Sequence, residues 1–317
     1  MRVLVSGGFG FVGGRLAQHL HQAGYQVALG SRKARSTPEW LRDAEVVKLD
    51  WNDCDSLASV CLGSDVIIHA AGMNAQDSLA NPAEALAFNG VATARLLDAG
   101  CKASVQRFIY LSTAHVYGSP LEGTITEETC PWNLHPYATS HLAGESAVLY
   151  ASQRKKIEGI VLRLSNAFGA PAHAEANCWM LLVNDLCRQA VTLRSMTLRS
   201  TGLQRRDFIT LEDVSRVVAN MISLPGHQIG DGRFNVGSGK SLRVIDMVKL
   251  IQARCTEVLG CTPEIINPQY IKKNEKSPNL DYKIEKLLNT DFSLRNDSEL
   301  EIDDILRMCD KSFMVKN

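Results

Sequence analysis

The chain has 317 residues, 45% of them hydrophobic, enough to bury a core of ordinary size in one large domain or two smaller ones. Lys+Arg and Asp+Glu each total 34, so the formal net charge is zero and no overall basic field exists to hold nucleic acid or an anionic membrane. No stretch approaches the roughly 20 apolar residues that span a bilayer, and the apolar opening runs at once into glycines, so a cytoplasmic chain with a small ligand is expected.

Short β-branched runs at residues 3–5, 27–29, 46–49, 66–69, 108–111 and 160–164 alternate with helical stretches. The first of these carries Leu16, Leu20 and Ala23 at helical spacing and stops at Gly24; residues 85–97 and 142–150 behave alike. Such alternation predicts an α/β chain with a Rossmann-type, doubly wound parallel sheet. The rhythm changes after about residue 165, with an Ala/Pro loop at 169–173 and a helical run at 178–190, which predicts a smaller C-terminal α/β lobe for substrate. Phe208-Ile209 and residues 234–236 read as strands returning toward the first lobe. The expected division is therefore 1–165 with returning segments at about 207–247 for the dinucleotide, and 166–206 with 248–317 for the substrate.

Nine cysteines are odd in number, scattered and never spaced C-x-x-C, so reduced packing residues are expected rather than a disulfide frame or a metal site. Cys178 shows no partner in sequence that would lower its pKa, and it too reads as packing. Residues 270–286, with five lysines, read as a solvated surface.

The segment Ser6-Gly7-Gly8-Phe9-Gly10-Phe11-Val12-Gly13 follows the first strand and opens the first helix. A glycine triplet alone often marks only a tight turn, but between strand and helix it lets backbone approach a pyrophosphate at a helix N-terminus. Gly7, Phe9, Gly10, Phe11, Val12 and Gly13 are the candidate cofactor contacts. A site for NAD(H) usually has an acidic residue about 20 positions on; here stand Ser31 and then Arg32, which can pair a 2′-phosphate, so NADP(H) is preferred over NAD(H). The competing reading makes Arg32 and Lys33 a solvated loop. Asp50 and Trp51 are placed at the adenine, and His69, Ala70 and Ala71 along the pyrophosphate and ribose; His69 reads equally well as a packed strand-end histidine.

The fifth strand ends Leu111-Ser112-Thr113-Ala114-His115-Val116-Tyr117-Gly118, and further on comes Pro136-Tyr137-Ala138-Thr139-Ser140-His141. With Leu162-Arg163-Leu164-Ser165-Asn166, Arg206-Asp207-Phe208-Ile209 and Phe234-Asn235-Val236-Gly237-Ser238-Gly239, these motifs resemble the extended short-chain dehydrogenase/reductases of the nucleotide-sugar epimerase/dehydratase group, from residue 1 to about 290. The resemblance implies a nucleotide-sugar substrate, a catalytic Thr113 and Tyr137, and His141 where the family's Tyr-x-x-x-Lys motif has lysine. It places Ser112, Thr113, His115, Tyr137, Asn166 and Arg206 at the substrate and Tyr137 and His141 also at the cofactor. It further implies a homodimer through helices at about 83–101 and 137–153.

Tyr137 and His141 lie one helical turn apart on one face. A lysine's charge would help ionise the tyrosine, whereas a histidine is largely neutral at pH 7. Two readings follow: an enzyme moving a hydride at a carbinol or ketone with Tyr137 as acid/base, or a cofactor-binding sensor or scaffold with impaired catalysis. Dehydratases of this group carry Asp-Glu after the catalytic threonine; Ala114 and His115 stand here, which disfavours 4,6-dehydration and leaves reduction and epimerisation open. His115 can supply a second proton-transfer group or serve only as a strand-end hydrogen bonder. Arg206 can pair a diphosphate or form a structural ion pair with Asp207.

Overall fold

The computed structural model describes residues 1–266 and 278–314. Seven strands form one parallel sheet: β1 (Arg2–Ser6), β2 (Gln26–Ser31), β3 (Glu45–Lys48), β4 (Val66–His69), β5 (Arg107–Thr113), β6 (Glu158–Leu164) and β7 (Arg233–Val236). Their spatial order is β3-β2-β1-β4-β5-β6-β7. Helices cover both faces, so the central strands are buried along their whole length: all four residues of β4 and all seven of β5 are buried. The order reverses between β1 and β4, and a crevice opens at the carboxyl ends of strands at such a switch point.

Leu16, Ala17 and Leu20 of the helix Phe11–Gln22 join one apolar layer with Val214, Val217 and Met221 of the helix Leu211–Ser223. The layer on the opposite face of the sheet holds Leu4, Leu57, Leu96, Phe108 and Val148. A separate core gathers Phe168, Leu186, Met247, Ile251, Ile302 and Ile305 from the later helices. Here the structure differs from the pattern in sequence. The strand Arg205–Thr210 does not enter the large sheet; it pairs parallel to Asn166–Phe168 and antiparallel to Ser241–Arg243 in a three-stranded sheet. Its Ile209 and the helix after it return to the first layer, whereas β7 completes the large sheet beside β6.

Two helices begin and bend differently from their periodicity. The run expected at 85–97 starts at Pro82, widens into a π-type turn over Leu86–Ala92 and continues as Thr93–Lys102. The run expected from 178 becomes helical at Leu182, because Leu181 is extended. Of the lysine-bearing stretch 270–286, residues 270–277 lie outside the described residues, and the following Leu280–Tyr282 forms a strand beside Gly123–Ile125 with Tyr282 buried. No helix among the described residues is long and apolar enough to cross a membrane, and none of their His, Cys, Asp and Glu side chains form a group of three fit for a metal.

Candidate active site

The glycine turn closes tightly because its backbone has no room for side chains. Gly7 adopts φ +70°, and a Cβ there would stand 2.8 Å from the backbone of Ala71; a Cβ on Gly13 would stand 2.3 Å from the Gly7 carbonyl. Gly10 precedes the helix Phe11–Gln22 without any side-chain cap, leaving the first amides of that helix open to an anion. In front lies a chamber of about 490 Å³ bordered by Gly7, Phe9, Arg32, Arg35, Trp51 and Ala71 among others. Arg32 lies over the Phe88 ring at 5.1 Å and Arg35 over Phe9 at 4.8 Å. Ser31, Arg32, Lys33 and Arg35 all border the chamber, so three cations gather at one end. A strand-turn-helix with a bare helix N-terminus and an aromatic-lined chamber fits a dinucleotide.

A second chamber of about 410 Å³ shares Phe11, Val12, Ala70, Ala71 and Gly72 with the first. Thr113, at the end of β5, meets Tyr137 there through a side-chain hydrogen bond. Tyr137 is set by the start of the helix Pro136–Gln153, where proline fits the first turn and the His135 ring accepts the Tyr137 amide at 3.2 Å. Burial raises the Tyr137 hydroxyl above its ordinary pKa, and the Thr113 hydrogen bond offsets part of that. His141 is buried one turn on, its ring edge-on to Tyr137 at 4.6 Å, and burial pulls its pKa down to about 4. The tyrosine therefore stands protonated beside a neutral imidazole.

His141 is the end of a buried polar chain. Its Nδ1 lies 2.8 Å from the Tyr110 hydroxyl, beside which stands Thr93, whose own hydroxyl donates to the Asn89 carbonyl at 2.7 Å. Thr93 Oγ1 meets His69 Nε2 at 2.8 Å, and His69 Nδ1 meets Ser6 Oγ at 2.5 Å. The wide turn at Leu86–Ala92 brings Asn89 inward, where it accepts the Met73 amide at 2.7 Å and donates to Ser140 at 3.0 Å, tying the chamber floor to the tyrosine helix.

The opposite wall carries Ser165, Asn166 and Arg206, with Phe168, Phe208 and residues 180–183 supplying apolar surface. Arg206 is not paired with Asp207. That carboxylate is buried, its pKa raised by burial, and accepts from Ser165 Oγ at 2.6 Å and the Ser238 amide at 2.8 Å. Burial lowers the Arg206 pKa, a guanidinium facing the chamber and set for an anion. His115 borders the same space, lowered by burial and by Arg206, and its ring bonds the Gly118 carbonyl.

Of the residues expected at the two ligands, Gly13, Asp50 and His69 do not border these chambers, and Ser112 and Asn166 border the second with polar groups already engaged. His69 is buried beneath the floor with both ring nitrogens occupied, and burial pulls its pKa down to about 3. Asp50 turns to Lys48 at 3.5 Å and to the Asn52 amide, leaving Trp51 at the chamber. Ser112 reaches the wall, but its hydroxyl donates to Glu145 at 2.5 Å. Asn166 spends its amide nitrogen on the Asp207 carbonyl at 2.9 Å. Cys178 is buried and pushed up to about 12 by burial, inert packing rather than a nucleophile. Sequence reasoning passed over Arg35, Asn89 and Tyr110. Only Arg35 carried a signal, as the third basic residue after β2.

Comparison with known proteins gives the same frame. Residues 3–237 match the NAD dependent epimerase/dehydratase family. The chain belongs to that family. A protein of Bacillus subtilis described as an uncharacterized UDP-glucose epimerase, YtcB, is 27% identical over 265 residues, covering 80% of this chain and 81% of its own. The dTDP-6-deoxy-L-talose 4-dehydrogenase (NAD(P)(+)) of Kitasatospora kifunensis is 31% identical over 79% of this chain and 78% of its own. The solved structure of MoeE5 in complex with UDP-glucose and NAD shares the fold, with a TM-score of 0.80 at 22% identity over 99% of this chain and 100% of that one.

Proposed function

We propose that this family member is an NADP(H)-dependent reductase of a ketone on a nucleotide-linked sugar, with Tyr137 as the proton donor. The observation that carries the reading is the pairing of a protonated Tyr137, hydrogen-bonded to Thr113, with a neutral His141. A phenol held above its ordinary pKa is suited to giving a proton to a carbonyl oxygen and poorly suited to taking one from a carbinol. A nicotinamide cofactor bound at the glycine turn supplies the hydride. Thr113 and Tyr137 hold the ketone oxygen, and the proton passes from the Tyr137 hydroxyl to that oxygen as the carbinol forms. Arg206 pairs the diphosphate, Asn166 and His115 position the sugar, and the apolar wall from Met180 to Val183 excludes water.

The preference for NADP(H) rests on Arg32, Lys33 and Arg35 around Ser31, with no acidic residue at the end of β2. Dehydration is disfavoured by Ala114 and His115, although the relatives include a dTDP-glucose 4,6-dehydratase of Streptomyces niveus. The helices bearing exposed Leu86, Val91 and Tyr150 supply an apolar face for a homodimer.

The test is turnover of nucleotide-linked keto-sugars by the purified chain with NADPH, alongside Tyr137→Phe. Loss of one general acid lowers kcat by roughly 10²–10⁴-fold while NADPH still binds and binds more tightly than NADH. Unchanged turnover in the variant removes Tyr137 from the chemistry. A wild-type chain that binds NADPH but turns over no sugar is the sensor or scaffold instead.

A further inference from the structure

Tyr110 stands on β5, three residues before Thr113, and is fully enclosed. Its ring stacks on His141 at 5.8 Å and 26°, and its hydroxyl oxygen lies 2.8 Å from His141 Nδ1. Counting protons along the buried chain assigns the donors. The Asn89 carbonyl can only accept, so Thr93 Oγ1 gives it its single proton at 2.7 Å. The contact between Thr93 and His69 Nε2 then requires the proton on His69, and His69 Nδ1 accepts the Ser6 hydroxyl. Tyr110 likewise has one proton. The Asn89 carbonyl is a distant 3.4 Å and already bonded by Thr93, whereas the basic Nδ1 of His141 lies at 2.8 Å.

We infer that Tyr110 is a positioning residue that donates to His141 Nδ1 and so fixes the tautomer in which His141 carries its proton on Nε2. The ring nitrogen away from Tyr110 is the one free to meet a ligand, since His141 borders the chamber with Thr113 and Tyr137, and Gly72 leaves open space before it: a Cβ there would sit 3.7 Å from Nε2. A histidine's tautomer is set by the hydrogen bond at its other nitrogen. The site thus presents a neutral N–H donor, where a lysine would present a charged one, toward a ribose hydroxyl or the Tyr137 oxygen. This inference rests on the proposed function only in what Nε2–H would meet, not in the tautomer itself.

The experiment is ¹⁵N–¹H correlation of the histidine rings, with and without NADPH, in wild type, Tyr110→Phe and Ser6→Ala. Wild type shows His141 as Nε2–H. Tyr110→Phe, which keeps the ring and loses only the hydroxyl, shifts His141 to a tautomer mixture or to Nδ1–H and weakens NADPH binding by roughly 2–10-fold, the range of one hydrogen bond. Ser6→Ala, at the far end of the chain, changes the His69 signal and leaves His141 as Nε2–H, which a general loosening of the network would not do. Nδ1–H in the wild type, or an unchanged His141 signal in Tyr110→Phe, overturns the inference. Because the tautomer is read without turnover, a chain inactive on sugars can still show the Tyr110 effect, and an active one can still lack it.

Discussion

Glu145 and His141 stand one turn apart on the same face of the Pro136–Gln153 helix, yet their surroundings are opposite in charge. Glu145 is enclosed with Arg163, which grips it through Nη2 at 2.6 Å and Nε at 3.1 Å, while Ser112 donates to the same carboxylate. Arg163 continues to the Tyr117 hydroxyl at 2.8 Å, and Tyr117 to Asn235 at 2.7 Å. Every group in that network has a partner, so charge is tolerated where water is absent. Around His141 stand Tyr110, Tyr137 and Gly72, and burial keeps it neutral. The comparison separates a charged frame, which holds β5, β6 and the helix together, from a neutral site that opens on the cleft and leaves Tyr137 its proton.

Breaking the frame gives the largest effect. Arg163→Met leaves the Glu145 carboxylate buried and unpaired and is expected to cost about 3–5 kcal/mol in denaturant unfolding. Adding Glu145→Leu to that variant recovers most of the loss, because an apolar pair of similar volume removes the stranded charge. A single variant within about 1 kcal/mol of wild type would show that the pair is not the frame's main support.

The neutral side responds to acid. His69 and His141 titrate at about 3 and about 4 in the folded chain, below the ordinary histidine value of about 6.5 that the unfolded chain keeps. Below pH 6.5 the unfolded state binds protons that the folded state refuses, so stability falls as pH drops from about 6.5 toward 4 and then 3. The slope is about 1.4 kcal/mol per pH unit for each histidine in that window. Tm measured from pH 7 to pH 4.5 reads it, and His69→Gln removes roughly half of the slope if the two histidines dominate it. An equally steep decline in that variant would assign the acid sensitivity to other groups.

The strands, their parallel order and the glycine turn were legible because each rests on local chemistry: β-branched runs between helical stretches, and glycines where Gly7 and Gly13 admit no Cβ. The placing of Tyr137 and His141 on one helix face was legible from their spacing. What escaped depends on partners far along the chain. His69 reads in sequence equally as a cofactor contact or a packed strand-end histidine, because Ser6 and Thr93, which take both its nitrogens, are announced by no local pattern. Arg205–Thr210 looks like any strand bound for the large sheet; its pairing with Asn166–Phe168 was decided by the separate core around Phe168 and Phe208. Arg206 and Asp207 are neighbours of opposite charge in sequence and face different surroundings because successive strand residues alternate sides.

The smallest effect tests the contrast most directly, by moving charge from the frame's side of the comparison to the site. With Tyr137 as the proposed acid/base, oxidation of a carbinol requires it deprotonated, so with its pKa raised the wild-type oxidation rate is expected to climb about tenfold per pH unit through neutrality, while ketone reduction stays flat. His141→Lys puts an ammonium within reach of the phenol, which favours the phenolate and lowers the Tyr137 pKa by about 1–3 units. The oxidation profile then shifts to lower pH by the same amount, and the loss of reduction at high pH begins earlier, because less phenol remains to donate. The measurement is kcat/KM against pH in both directions for the two proteins. A profile that does not move would show that the residue at 141 has no electrostatic hold on Tyr137, and that the neutrality of this site comes from its burial rather than from the choice of histidine.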